Sequence, residues 1–100
     1  CVLIFGVLAH KELGRFPRKA TNVAREIILT PLKDKRSARG AGLLGPFNVV
    51  CSAGGRKRAS IRVVPGMGEA VRTAEKLLEP QDTLLILGSH LTVEEAAGYL

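Results

Sequence analysis

The chain is poor in aromatic residues, cysteine and long apolar runs, and each shortage removes a class of function. Four aromatic residues in 100, Phe5, Phe16, Phe47 and Tyr99, with no Trp, leave no interleaving of rings and cations on which bases would stack. Two cysteines, Cys1 and Cys51, cannot make a disulfide framework, and neither has a second Cys or a His at metal-ligand spacing, so a reducing, cytoplasmic setting is expected. The longest apolar run, Val2–Phe5, reaches Ala9 only by crossing Gly6, far short of a membrane span. No basic segment precedes that run, which argues against a signal peptide. An opening residue other than Met points to a piece of a longer protein.

What is present describes one compact domain. The 100 residues are 46% hydrophobic and 24% charged, ordinary proportions for a globular chain and too few residues for two cores. The net charge of +6 is unevenly placed. Residues 1–62 carry 13 Lys/Arg against Glu12, Glu26 and Asp34, whereas residues 63–100 carry Arg72 and Lys76 against six acids. A basic half of this kind suits phosphates, nucleic acid or an acidic partner, and equally a solvated surface.

Apolar patterning alternates between two periods. Val2–Val7 (VLIFGV), Glu26–Thr30 (EIILT), Ile61–Val64 (IRVV) and Thr83–Leu87 (TLLIL) read as short strands, the first and last buried on both faces. Between the first two, a helix is expected from about Phe16, with Pro17 in its first turn. Met67, Ala70, Val71, Ala74, Leu77 and Leu78 fall on one stripe of a second helix, closed by Pro80. Thr92 and Glu95 are spaced as a capping box for a last helix whose buried side would be Val93, Ala96, Ala97 and Leu100. Residues 37–60 are expected to be irregular, rich in glycine and basic residues, with Phe47–Cys51 (FNVVC) a short strand at most. Strands alternating with helices predict an α/β domain with a mostly parallel sheet covered by helices.

Ligands of such sheets sit beyond the carboxyl ends of the strands, which selects four places. His10-Lys11-Glu12 follows the first strand, and Lys11 could neutralise an anion. After the second strand, Arg36 has the planar fork that grips oxyanions in bidentate fashion. Gly66-x-Gly68 precedes a helix as phosphate loops do, but lacks the Lys-Ser/Thr of a P-loop and the third glycine of a dinucleotide fingerprint. Ser89-His90 follows the fourth strand. As nucleophile and base these two would need a third, orienting group, and the G-x-S-x-G elbow is absent. A hydroxyl that positions a ligand is the milder reading for Ser89. Arg56-Lys57-Arg58 could contact nucleic acid, yet no aromatic ring stands beside the cluster to stack a base, and nucleic acid is not the expected partner.

Four segments, in order, resemble the C-terminal domain of the bifunctional folylpolyglutamate synthase/dihydrofolate synthase family of the Mur ligase superfamily. VLIFGVLAHKE resembles that family's strand followed by G-x-x-x-D-K-D. ILTPLKDKRSA resembles its strand, T-x-P and R-S/A-A turn, VVPGMGEAVRTAEKL its strand–turn–helix, and DTLLILGSHLTVEEAAGYL its D-x-hhhh-G-S segment, where h is apolar. The resemblance implies a Rossmann-like domain, lacking its first strand, that closes over a larger ATPase domain. It implies ligation of glutamate to folate or dihydropteroate through an acyl phosphate, with ATP and Mg2+ in the whole enzyme and neither held by this segment alone. Lys11, Arg36, Ser89 and His90 would then lie around the substrates. His10 and Glu12 stand where the family has Asp, and the family's D-G-A-H-N segment and P-loop are not in this sequence. Two rival expectations remain: a basic binding module, and a relic whose Val2–Val7 strand is an exposed sheet edge able to pair between copies.

Overall fold

In the computed structural model, which describes residues 1–9, 12–54 and 59–100, the elements run β1 (Val2–Gly6), α1 (Phe16–Val23), β2 (Glu26–Leu29), α2 (Ala41–Gly54), β3 (Ser60–Val63), α3 (Met67–Leu77), β4 (Leu84–Gly88) and α4 (His90–Ala97). The four strands form one sheet of order β3-β2-β1-β4, with every pair parallel. The domain is therefore α/β with an all-parallel sheet and helices on both faces, as the alternating pattern predicts. It is compatible with a Rossmann-like fold.

The period of two along the strands decides which helix covers which face. Val2 and Ile4 of β1, with Ile28 of β2, point to one side and pack with Met67, Ala70, Val71, Ala74 and Ala96 from α3 and α4. Leu3 and Phe5, with Ile27 and Leu29, point to the other and pack with Ala20, Leu43 and Phe47 from α1 and α2. Every residue of β1 is buried, so its continuous apolar run has the cause expected for a strand enclosed on both faces. Each Ile or Leu enclosed here contributes about 1.5–3 kcal/mol of transfer free energy.

Four expectations are corrected. Residues 41–54 form a helix, where an irregular stretch and a short strand at Phe47–Cys51 were expected. Leu43 and Phe47, at i and i+4, are both fully enclosed, and that burial outweighs poor intrinsic propensity, including the hydrogen bond and about 3 kcal/mol that an interior proline such as Pro46 costs. The second correction concerns β1, which is interior, paired with β2 on one side and β4 on the other. Because α3 carries the chain back across β1, the free edges belong to β3 and β4. Third, β4 is only half-buried and grows more exposed towards Gly88, since it has a neighbour on one side only.

The fourth correction concerns α4, which begins at His90, one turn earlier than a Thr92 cap would allow. Thr92 is fully buried and its hydroxyl donates to the Gly6 carbonyl at 2.6 Å, while the Glu95 carboxylate accepts from the backbone N–H of Lys33. Both side chains of the expected capping box thus bond across the fold. The helix buries Thr92 and Ala96, and Val93, Ala97 and Leu100 face solvent. Among the described residues, no helix is long and apolar enough to cross a membrane.

Candidate functional site

The strand order places a topological switch between β1 and β4. After β1 the chain turns to the face covered by α1, and after β4 it turns to the face covered by α4. A crevice opens where two neighbouring parallel strands send their continuations to opposite faces. Here that crevice has a volume of about 390 Å³ and is lined by Phe5, Val7, Leu13, Phe16 and Leu87, with Glu12, Gly88 and Ser89 supplying its polar atoms. An apolar wall with few polar groups is the usual make-up of a small-molecule site. Phe5 and Phe16 stack at 4.7 Å between ring centroids, with Phe47 edge-on to both, so the aromatic wall is held from behind by α2.

Gly88 lines the crevice, and Gly6 ends the neighbouring strand beside it. Gly88 has φ +131°, and a Cβ there would lie 1.9 Å from the Gly6 carbonyl oxygen and 2.7 Å from the Thr92 hydroxyl. No side chain fits that approach. A Cβ on Gly6 would meet the Thr30 carbonyl at 2.8 Å. Gly6, Gly88 and Thr92 therefore form one clasp, in which backbone meets backbone and the Thr92 hydroxyl satisfies the Gly6 carbonyl. Sequence reading missed the clasp, although a glycine at each strand end was its visible trace.

Of the sequence-predicted site residues that are described, Arg36, Ser89 and His90, Ser89 lines the crevice. Its hydroxyl oxygen is enclosed and has no hydrogen-bond partner among the described residues, and it stands at the N-terminus of α4 without capping it. An enclosed hydroxyl left unbonded costs about 1–3 kcal/mol. His90, one residue on, is exposed and is not in the crevice wall. Adjacent residues at a helix start diverge, so Ser89 and His90 do not act as a nucleophile–base pair.

Arg36 lies in the loop after β2, and its guanidinium is taken by a neighbour. Its Nε and Nη2 donate to the Asp34 carboxylate at 3.0 and 2.9 Å, and the Arg36 backbone N–H adds a third bond at 2.8 Å. The side-chain bond from Arg36, followed by the backbone one, holds the Asp34 carboxyl well below the usual carboxylate range. The loop itself is tied to the end of β1 through Ala9 N–H to Arg36 carbonyl and Ala38 N–H to Val7 carbonyl. Its backbone thus flanks the first loop while its fork is occupied. Lys11 and His10 lie outside the described residues, as does the Arg56-Lys57-Arg58 cluster.

A second cleft, of about 490 Å³, opens past the carboxyl ends of β2 and β3. It contains Gly66-x-Gly68 at the start of α3 and the charged side chains Lys33, Arg39, Glu69, Arg72 and Glu95. Glu69 is bonded to Arg72, Glu95 to the Lys33 backbone, and Arg39 to the Leu32 carbonyl. Most of its polar groups therefore have protein partners. No three His, Cys, Asp or Glu side chains among the described residues converge to hold a metal ion. No protein-family model matches the chain, and no curated protein or solved structure matches it.

Proposed function

We propose that this chain is the C-terminal, substrate-positioning lobe of an ATP-dependent ligase that adds glutamate to folate or dihydropteroate, acting in the cytoplasm together with an ATPase domain. The observation that carries the proposal is the enclosed Ser89 hydroxyl, which lines the β1/β4 crevice and has no partner among the described residues. The reading also draws on the resemblance of DTLLILGSH to that family's segment, which on this fold is β4 and the start of α4. The glutamate would enter with a carboxylate accepting from the Ser89 hydroxyl and from the first backbone N–H groups of α4, where the helix dipole favours a negative group. The apolar wall of Phe5, Val7, Leu13 and Phe16 would exclude water from the carboxylate's other side.

ATP cleavage and the acyl phosphate belong to the ATPase domain, which would supply the phosphate-cradling and Mg2+-binding groups. This lobe's contribution is position: holding the amino acid so that its amine faces the activated carboxyl. By the resemblance Lys11 would also serve the substrates, with Arg36 available to them only after leaving Asp34. Calorimetric titration of the chain with L-glutamate tests the proposal. Saturable binding that falls about tenfold or more in Ser89→Ala, the loss of one hydrogen bond to a charged group, is expected. Absence of binding, or ligase or ATPase activity in the isolated 100 residues, would refute it.

A further inference from the structure

The β1/β4 crevice offers more chemistry than one bound carboxylate uses, and its two rims differ. The continuation of β1 supplies Glu12, Leu13 and Phe16, and the end of β4 supplies Leu87, Gly88 and Ser89. The β4 rim suits an anion. There the enclosed Ser89 hydroxyl has no partner among the described residues, and no side chain caps the helix that starts beside it. The first N–H groups of α4 have no acceptor within the helix and carry partial positive charge. The β1 rim has the opposite preference. Glu12 is exposed and is the one charged side chain among the described residues that line the crevice, so a cation is favoured beside it and a second anion disfavoured.

The rest of the wall is apolar. Phe5 and Val7 are buried, whereas Leu13 and Phe16 keep part of their surface open. Phe16 is held against Phe5 and Phe47, at 4.7 and 6.3 Å between ring centroids, which fixes the apolar surface in place. A cavity of about 390 Å³ falls among those that enclose drug-sized ligands, roughly 300–1,000 Å³. Glutamate, whose side chain ends in a second carboxylate, neither fills that space nor covers those rings.

We propose that the crevice also receives α-amino acids with a large apolar side chain, such as phenylalanine, in the place that glutamate takes. The α-carboxylate accepts from the Ser89 hydroxyl and the first N–H groups of α4, the α-ammonium faces Glu12, and the side chain covers Leu13 and Phe16. Each part of the ligand then meets the part of the wall whose chemistry it matches, and an apolar amino acid in the crevice holds glutamate out. The inference rests on reading the crevice as an amino-acid site, and it adds a class of competing ligand to that site.

Titration of the isotope-labelled chain with L-phenylalanine, read from amide shifts beside L-alanine, 3-phenylpropionate and L-glutamate, tests the inference. L-phenylalanine should shift Leu13, Phe16 and Ser89 saturably and bind about tenfold or more tighter than L-alanine, from burial of the ring. It should also bind about threefold tighter than 3-phenylpropionate, which lacks the ammonium, and Glu12→Gln should remove that difference. L-glutamate binding in the crevice without L-phenylalanine binding overturns the inference and leaves the proposed function standing. The reverse result upholds the apolar ligand class and refutes the glutamate reading, and binding of neither sinks both. Equal affinity for L-phenylalanine and 3-phenylpropionate, or shifts centred on the start of α3, also overturns it. The ligand series needs no variant, so the outcome does not depend on whether Glu12→Gln folds.

Discussion

Two openings lie along the carboxyl edge of the same sheet, and they differ in what they leave unfinished. The cleft beyond β2 and β3 is larger and more charged, yet Glu69, Glu95 and Arg39 in it are bonded to protein groups. The crevice between β1 and β4 is smaller and mostly apolar, yet it contains an enclosed hydroxyl with no partner among the described residues and, at Gly88, a position that only glycine can fill. Charge marks the first and topology the second. The comparison teaches that a ligand site is better recognised by polar groups the fold encloses and does not satisfy than by the density of charge around an opening.

The largest effect that would break the comparison is at the clasp. Gly88→Ala places a Cβ against the Gly6 carbonyl in a backbone conformation unsuited to a side chain. It should cost more than about 3 kcal/mol or prevent folding, read as a fall in the urea midpoint. Gly66→Ala, at the second cleft, meets open space and should change stability by less than about 0.5 kcal/mol. Equal losses at the two glycines would remove the distinction between the openings.

Thr92→Val is next. It keeps the volume of a fully buried side chain but leaves the Gly6 carbonyl without its 2.6 Å donor, and should cost about 1–3 kcal/mol in chemical denaturation. A capping role, which the sequence spacing suggested, would instead leave the end of β1 unaffected; loss of exchange protection near Gly6 separates the two. Ser89→Ala removes an enclosed hydroxyl that has no partner among the described residues, so stability should hold or rise, by up to about 1–3 kcal/mol. A marked loss of stability would mean that the hydroxyl serves the fold.

The smallest effect concerns acid. Asp34 and Asp82 are both held below their ordinary range, chiefly by the side chains of Arg36 and Arg25 respectively. A carboxyl with a depressed folded pKa contributes stability that is fully present above its unfolded value, about 3.9, and is lost as pH falls towards the folded one. Stability should therefore be insensitive to these groups near neutrality and decline below about pH 4. Asp34→Asn and Asp82→Asn should each flatten part of that decline, modestly because both pairs are solvent-screened. Asp34→Asn also frees Arg36, and a gain in glutamate affinity would bring that residue into the site.

Much of the fold was legible because its signals are local. The β1 run, the proline that opens α1 and the Met67–Leu77 stripe each announce an element through period or backbone constraint, and each stands where the pattern places it. What was not legible depended on partners distant in sequence. Residues 41–54 look like a loop because Gly42, Gly45 and Pro46 dominate local propensity, and only the pocket that receives Leu43 and Phe47 makes them a helix. Thr92 and Glu95 have capping-box spacing, and the carbonyl of Gly6 and the N–H of Lys33, 86 and 62 residues away, claim them instead. Of the site, Ser89 could be found from its place after a strand. The clasp beneath it could not, because the meeting of Gly6 with Gly88 follows from strand order, which one sequence does not spell out.

The most direct test of the crevice as the site is to map where L-glutamate lands by amide chemical shifts in the isotope-labelled chain. Saturable shifts confined to Leu13, Leu87, Gly88, Ser89 and the start of α4, and lost in Ser89→Ala, are the predicted result. Shifts centred on Lys33, Arg39 and the start of α3, or no saturable shifts at all, would contradict it.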